Sequence, residues 1–411
     1  MPIASSAAVA SVASERDRRP RIPELDGLRG LAIALVLFYH YFSCAVQYRP
    51  RTFLSYFFVP SRLSWSGVDL FFVLSGFLIG GILLDAKEST NYFKVFYIRR
   101  FFRIAPIYAV LLLSFVAVRA ALGVSAQSTF FWTLGGTMPM WTYPLFIQNF
   151  WMAAAGLFGG GWLSATWSLA VEEQFYLTLP SLVRFFSRRA ILACLILGIV
   201  AAPAFRVALF RPTLTGWLAS YVLLFCRADA LLIGVLSALL LRSKTWAGRI
   251  ANSSYWFPGL LLSLLAVAAI LTKIGAGVTT LKMASFGYTS LAALYACLLL
   301  FVCTRPGHFL AAVARWRPLR WLGSIAYGAY LFHQPIQGLA FAIVRGGEPR
   351  IDNLSSLLLT IVALALTLGL ARLSWNFFES RLVRFSHRAQ YEFLPREEGL
   401  LSAAIPAGAR Q

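Results

Sequence analysis

The strongest constraint in this sequence is a series of apolar stretches, each long enough to cross a lipid bilayer. A membrane-spanning helix needs roughly 20 mostly apolar residues. Hydrophobic residues make up 59% of the 411 residues and charged residues only 13%, which excludes a water-soluble globular protein. The sequence therefore predicts an all-α polytopic membrane protein with about ten transmembrane helices. These stretches lie near 27–46, 65–84, 104–122, 166–185, 190–209, 218–241, 256–273, 286–304, 322–344 and 355–376.

The distribution of positive charge predicts the orientation. With the N-terminus in the cytoplasm, 24 of the 37 Lys and Arg residues fall in cytoplasmic segments and 7 in segments on the other side. This bias is the one expected for membrane proteins, so both termini are predicted to be cytoplasmic. The net charge of +21 is spread between apolar stretches rather than gathered on one face, and no nucleic-acid partner is predicted.

The chain divides into one membrane domain and two tails. Residues 1–21 are expected to form a disordered cytoplasmic tail, 22–385 the membrane domain and 386–411 a second cytoplasmic tail, too short for a soluble domain. The segment 123–165 is long, rich in Trp, Phe and Gly, and free of charged residues. It is either a segment that enters the membrane or covers a cavity, or an interfacial aromatic belt.

The first stretch carries two ionisable residues on one face. Charged groups inside a membrane are costly, so each needs a partner or a function. Arg29 and His40 are eleven residues apart, close to three full helical turns, so both side chains project from one face about 16 Å apart. A cation at the cytoplasmic mouth and an imidazole near mid-membrane suit an anionic cofactor lying along the helix. The alternative for His40 is a core histidine bonded to a backbone carbonyl.

Three arginines precede the apolar part of the third stretch. Arg99, Arg100 and Arg103 are predicted to share one helix face. Three guanidinium groups at a helix entry form a good phosphate clamp. The alternative is membrane anchoring or binding of lipid headgroups at the cytoplasmic surface.

Other ionisable residues in the apolar stretches are candidates for proton transfer. Asp69, near the outer end of the second stretch, could orient an imidazole or receive a proton, or it could be a helix cap. Glu172 and Glu173 lie at the predicted external entry of the fourth stretch. Adjacent residues point about 100° apart, so at most one need face a cavity, where it could bind or deprotonate an acceptor hydroxyl. His333 lies about eleven residues into the ninth stretch, two residues before Pro335.

Two further observations narrow the function. Arg227 and Asp229 lie in the sixth stretch but are too close in sequence to face each other on a helix, so each is expected to have a partner elsewhere. Nucleotide-binding GxxxxGK, zinc-binding HExxH and DxD patterns are absent from the sequence, and no metal site is predicted.

Five segments, taken in order, resemble the acyltransferase family 3 membrane proteins, which O-acylate carbohydrates, lipids and other secreted molecules. The resemblance covers about 22–385, nearly the whole chain, and departs from the family's usual ninth-helix motif only at Ile325. The segments are 24–40, with an Arg-x10-His spacing; 67–76, Gly-Val-Asp-Leu-Phe-Phe-Val-Leu-Ser-Gly; 99–108, with Arg-Arg-x-x-Arg; 167–176; and 327–335, with Tyr-x-x-Tyr-Leu-x-His-x-Pro.

The resemblance implies ten helices and acyl-CoA, most often acetyl-CoA, as a co-substrate from the cytoplasmic side, with no permanently bound cofactor. It implies an essential histidine at His40, with Arg29 and the arginines at 99–103 near the CoA. It also implies a carbohydrate or lipid acceptor and location in the bacterial inner membrane. Some relatives carry a fused extracytoplasmic hydrolase-like domain, which is not expected here, so a separate extracytoplasmic partner is a further expectation.

The resulting hypothesis is O-acyl transfer across the membrane. Arg29, Arg99, Arg100 and Arg103 would hold the CoA phosphates, and His40 would act as general base or transient acyl carrier. Asp69 would orient His40, and Glu172 or Glu173 would bind the acceptor from the outer side. The alternative is a transporter or flippase of a lipid-linked glycan, for which a basic cavity and histidines within the membrane would also serve.

Overall fold

The part of the chain that the structure describes contains ten long helices. The computed structural model describes residues 22–46, 61, 63–125, 127–136, 138–211, 213 and 216–394, and the predicted tail 1–21 and most of the tail 386–411 lie outside them. Within the described residues there are helices and loops but no strand. The long helices are α1 Pro23–Phe38, α2 Gly67–Ala86, α3 Tyr92–Leu122, α4 Thr166–Phe185, α5 Arg188–Leu209, α6 Leu224–Leu241, α7 Trp256–Lys273, α8 Tyr288–Thr304, α9 Ala326–Arg345 and α10 Leu354–Ser374.

Shorter elements join the long helices. α1 continues as a turn of π-helix, Tyr39–Ser43, and similar π turns precede α8 and follow α10. The short helices are Phe131–Leu134, Gln148–Ala155, Gly161–Ser164, Leu218–Val222, Lys244–Ala251, Phe309–Ala314, Arg317–Ser324 and Ser380–Ser386. Single 3₁₀ turns lie at Ser64–Ser66 and Met140–Thr142.

The helix lengths and compositions confirm an all-α polytopic membrane protein. Among the described helices, eight are long and apolar enough to cross a membrane. The other two of the ten, α4 and α9, are each 20 residues long but carry more polar side chains, among them Glu172, Glu173 and His333. These two polar helices belong to the group that surrounds the candidate site.

Close backbone approach fixes the centre of the bundle. A side chain added at Gly76 of α2 would lie 1.9 Å from the carbonyl oxygen of Leu231, and one added at Gly234 of α6 would lie 2.2 Å from that of Val73. Small residues allow two helices to touch along their backbones, which is how membrane helices gain packing energy when burial from water contributes little. The glycines of the two apolar helices therefore determine how closely α2 and α6 approach.

Two buried ion pairs cross the same helices. Arg227 of α6 binds Asp69 of α2 at 2.5 Å, and Arg206 of α5 binds Asp229 of α6 at 2.9 Å. Arg227 and Asp229 therefore have partners on other helices, as their spacing predicted. Removing one partner of such a pair leaves an uncompensated buried charge, so both pairs restrict how these three helices can shift.

The segment 123–165 packs into the bundle. The Ser164 hydroxyl donates a hydrogen bond to the side-chain oxygen of Gln334, in the middle of α9. Buried Gln148 and Asn149 donate to the carbonyls of Thr166 and Val222. At the same time Trp141 is 54% exposed. The segment thus covers the interior of the bundle, as expected for a segment that covers a cavity. It also keeps exposed aromatic rings, as expected for an interfacial aromatic belt.

Candidate active site

Five helices enclose a cavity of about 220 Å³ that is both charged and apolar. α1, α2, α3, α4 and α9 each contribute side chains to its wall. The charged groups that face it are three guanidiniums and one carboxylate, from Arg29, Arg100, Arg103 and Glu172. Its neutral polar groups come from Ser75, Ser168, Tyr176, Tyr327 and Tyr330, and its apolar wall includes Phe71, Leu74, Leu78, Ile79 and Ile104.

Three arginines gather at this cavity, but they are not the three that adjacency in sequence predicted. Arg100 and Arg103 of α3 line it together with Arg29 of α1. Arg99 instead donates two hydrogen bonds to the carbonyl oxygen of Ala389, at 3.0 and 2.7 Å, and lies over the ring of Tyr391. The predicted clamp of Arg99, Arg100 and Arg103 is therefore wrong for Arg99, because the chain that follows α10 packs against that side of α3.

The two adjacent glutamates have different surroundings. Glu172 lines the cavity with the arginines, whereas Glu173 does not, and one Glu173 carboxylate oxygen is buried without a hydrogen-bond partner. The carboxylates were predicted at the external entry of the fourth stretch, and the structure adds that Glu172 shares its cavity with the arginines. The reason is that the preceding segment packs against the middle of α9 through Ser164, which brings the start of α4 into the bundle.

The two histidines singled out in the sequence, His40 after α1 and His333 in α9, contact each other. The rings of His40 and His333 lie 4.8 Å apart between centroids, at 61° to each other. The Nδ1 atom of each ring lies near a backbone carbonyl of its own helix, that of Val36 for His40 and that of Tyr330 for His333. His333 is fully buried and its Nε2 has no hydrogen-bond partner. A buried imidazole nitrogen without a partner needs an explanation, and proton transfer is a function that suits this side chain.

A pair of reciprocal hydrogen bonds holds the two histidine-bearing helices together. The Gln337 amide of α9 donates to the carbonyl of His40 at 3.0 Å, and the Tyr41 hydroxyl donates to the carbonyl of His333 at 3.0 Å. The π turn at Tyr39–Ser43 is where α1 departs from regular α-helix, so the projection of His40 cannot be obtained from a uniform 100° per residue. π turns of this kind are frequent at functional sites.

The histidine pair lies beside the cavity, not on its wall. Neither His40 nor His333 lines the space that contains the arginines. Tyr330 does line it, and its ring lies 5.6 Å from that of His333. Of the predicted stripe along α1, Arg29 lines the cavity and His40 does not, while Tyr330 of α9 contacts both the cavity and His333.

Asp69 does not orient His40. One of its oxygens binds Arg227 at 2.5 Å and the other is buried without a partner. The predicted contact between Asp69 and the imidazole is wrong, because α6 supplies an arginine that the sequence of α2 alone could not reveal. Aromatic rings surround this arginine, with the Tyr288 ring centroid 4.2 Å from the guanidinium carbon.

Comparison with known proteins places these features in a family. The family model for this acyltransferase domain matches residues 22–374. The chain belongs to acyltransferase family 3. Similar proteins include the putative peptidoglycan O-acetyltransferase YrhL of Bacillus subtilis, 28% identical over 76% of this chain and 49% of that protein. The peptidoglycan O-acetyltransferase OatA of Listeria monocytogenes is 28% identical over 78% of this chain and 52% of its own length.

A more distant relative is also named as an O-acetyltransferase. The O-acetyltransferase OatA of Staphylococcus aureus is 25% identical over 82% of this chain and 56% of its own length. The chain thus spans about half the length of the curated relatives it matches. No solved structure matches it.

The motifs of this family 3 acyltransferase domain converge in space. Gly27 of α1 approaches the backbone of Ala314 so closely that a side chain there would collide with it. Trp167 of α4 packs on Tyr221 and Phe72, and the Tyr327 hydroxyl of α9 donates to the carbonyl of Ile104 on α3. Gly27 and Trp167 therefore join the helices around the cavity without lining it, whereas Tyr327 does both.

Sequence reasoning assigned no role to several polar residues of α9. Tyr327, Tyr330, Gln334 and Gln337 follow one another at spacings of three or four residues. Such a spacing places side chains on one face of a helix, so this polar stripe in an apolar stretch was a usable signal for Tyr330 and Gln337. Among the described residues, no three His, Cys, Asp or Glu side chains are arranged to hold a metal ion.

Proposed function

We propose that this protein is a membrane O-acyltransferase that moves an acyl group, in the simplest case acetyl, from cytoplasmic acyl-CoA to a hydroxyl group of an envelope carbohydrate or lipid. The observation that carries the proposal is the relation between the cavity and the histidine pair. Three arginines line a cavity whose wall includes Tyr330, and the buried imidazole of His333 lies 5.6 Å from the Tyr330 ring between centroids.

The arginines account for binding of the donor. Arg29, Arg100 and Arg103 would hold the phosphate groups of CoA, because guanidinium forms charge-assisted and often bidentate hydrogen bonds to phosphate. A second cleft of about 460 Å³ shares Arg29, Leu78 and Ile82 with the cavity. We propose that the two spaces together hold the donor, with the phosphates near the arginines and the pantetheine arm along the apolar wall.

The histidine pair accounts for the chemistry. His40 would take the proton of the acceptor hydroxyl as its oxygen attacks the thioester carbonyl. The new carbon–oxygen bond forms, the carbon–sulfur bond breaks, and the proton passes to the departing CoA thiolate. His333, 4.8 Å from His40 between ring centroids, would receive or relay that proton through its unpaired Nε2. A transient acyl group on His40 would divide the same exchange into two steps.

The relatives support the class of acceptor. Two of them carry the name peptidoglycan O-acetyltransferase, so a hydroxyl of an envelope glycan is the first acceptor to test. The same proposal places the protein in the bacterial inner membrane, with the donor on the cytoplasmic side. Delivery to the final acceptor through a separate extracytoplasmic partner is a further part of the proposal.

The proposal is tested with the full chain purified into phospholipid nanodiscs. Isotopically labelled acetyl-CoA is added with peptidoglycan fragments, and released CoA thiol and acetylated glycan are both measured. We expect CoA release that disappears in His40→Ala and persists in Tyr295→Phe, a control that removes a buried hydroxyl bonded to Ser66 away from the cavity. A folded wild-type protein that releases no CoA and only moves a lipid-linked glycan would establish the transporter instead.

A further inference from the structure

One side chain of the cavity wall, Tyr330, also contacts His333 of the histidine pair. Tyr330 lines the space containing the arginines, and its ring lies 5.6 Å from His333 and 6.1 Å from Phe71. His333 behind it is fully buried. A thioester held in the cavity therefore cannot reach the His333 imidazole by this route unless the Tyr330 ring moves.

Two hydrogen bonds hold this ring in place. The Tyr330 hydroxyl lies 2.5 Å from the Ser168 hydroxyl and donates to the carbonyl oxygen of Ala165 at 3.0 Å. Both partners lie where the segment 123–165 passes into α4. One turn further along α9, Gln334 accepts a hydrogen bond from Ser164. The position of Tyr330 is thus set by the chain that, in the predicted orientation, faces the acceptor side.

Resting on the proposed function, we propose that Tyr330 is a gate between the donor cavity and the histidine pair. In the closed position, its ring separates the cavity from the buried imidazole of His333. An acceptor that displaces the segment ending at Ser168 frees the hydroxyl, and the ring turns aside. His333 is then open to the thioester only when an acceptor hydroxyl is present.

The gate explains how a thioester can be held near a general base without being hydrolysed. Water activated by the same imidazole would attack the carbonyl, break the carbon–sulfur bond and give a free carboxylic acid and CoA thiol. Exclusion of water from reactive groups is a common task of closed active sites. Tyr330 is accordingly a positioning residue, and its loss should alter the partition between transfer and hydrolysis.

The first experiment measures that partition in nanodiscs. Acetate released from acetyl-CoA without acceptor is divided by acetyl transferred when peptidoglycan fragments are present. We expect Tyr330→Phe, which keeps the ring and loses both hydrogen bonds, to raise the ratio about tenfold, since two neutral hydrogen bonds contribute that order of stabilisation. Tyr295→Phe loses a hydroxyl bonded to a serine at the same 2.5 Å distance and should leave the ratio unchanged. Equal ratios in the two variants would overturn the gate.

The second experiment does not depend on catalysis. Diethyl pyrocarbonate modifies accessible imidazoles, and mass spectrometry reports each histidine separately, with exposed His387 as the internal reference. We expect His333 to be modified about tenfold faster in Tyr330→Ala than in wild type, relative to His387, because a removed side chain opens the site to reagent. Equal modification rates would refute the gate. Failure of the proposed function has a different signature, the absence of CoA release from every variant.

Discussion

The His40 and His333 rings lie 4.8 Å apart between centroids, although the two residues are far apart in the sequence. Tyr41, the next residue after His40, is 292 positions from His333 and donates a hydrogen bond to its carbonyl. Each ring is supported by its own helix through Nδ1, and each backbone carbonyl accepts a hydrogen bond from the other helix. Two imidazoles at this distance can exchange a proton after a small ring rotation or through one water. The pairing of α1 with α9 is therefore the structural basis for the chemistry proposed above.

The two reciprocal hydrogen bonds should matter for turnover more than for stability. We expect Gln337→Met and Tyr41→Phe each to lower kcat for CoA release about tenfold with little change in KM, because a small misplacement of a general base is costly. Steady-state kinetics in nanodiscs measures both constants. Tyr295→Phe is the matched control for Tyr41→Phe. A comparable loss of kcat in that control would contradict a specific role of the Tyr41 hydroxyl in positioning the histidines.

The arginines that line the cavity should affect donor binding, whereas their sequence neighbour outside it should not. We expect Arg100→Gln and Arg103→Gln each to raise KM for acetyl-CoA by roughly ten- to one-hundredfold, the range for lost hydrogen bonds to charged groups. Arg99→Gln, on the same helix but bound to the Ala389 carbonyl, should change KM by less than about threefold. If Arg99→Gln raised KM as much as Arg103→Gln, the cavity would be the wrong donor site.

Glu172 should weaken donor binding. Its carboxylate shares the cavity with three guanidiniums and competes with phosphate for them. We therefore expect Glu172→Gln to lower the Kd for CoA by about three- to tenfold, an effect of the size expected for one charge at a partly hydrated site. Equilibrium binding of CoA is the measurement, and Glu173→Gln, which removes the adjacent charge outside the cavity wall, is the control. Weaker CoA binding in Glu172→Gln would show that the carboxylate supports the donor instead.

The buried ion pair between Asp69 and Arg227 should be structural. Both side chains are 1% exposed, so Asp69→Asn leaves an unpaired buried guanidinium and should cost about 3–5 kcal/mol in unfolding free energy. The double variant Asp69→Asn with Arg227→Met should recover most of that loss. Unfolding in mixed detergent micelles gives these values.

A second ion pair of the same length provides the comparison. Asp85 and Arg242 also meet at 2.5 Å, but their side chains are 29% and 25% exposed. Asp85→Asn should therefore cost less than about 1 kcal/mol. Should Asp69→Asn prove as mild as Asp85→Asn while abolishing CoA release, the aspartate would have a catalytic role that its contacts do not indicate.

The general architecture was accessible from the sequence because it rests on local properties. Apolar length predicts spans directly, and all ten predicted stretches coincide with long helices, including the polar α4 and α9. The spacing of Arg227 and Asp229 likewise excluded a contact between them, since residues two apart face different sides of a helix. The same local reasoning failed for Arg99, because whether an arginine faces a cavity depends on which other segment packs against its helix.

Apolar length and the positions of polar residues are enough to identify a helical membrane protein and the polar residues embedded in it, because the cost of placing such groups in lipid restricts where they occur. Which of those residues meet depends on how the helices pack. Helix packing paired Asp69 with Arg227 instead of His40, brought His333 to His40, and placed Tyr330 against both His333 and the cavity that the arginines line. Partners on different helices depend on helix order, rotation and local π turns, and a single sequence carries no direct record of these.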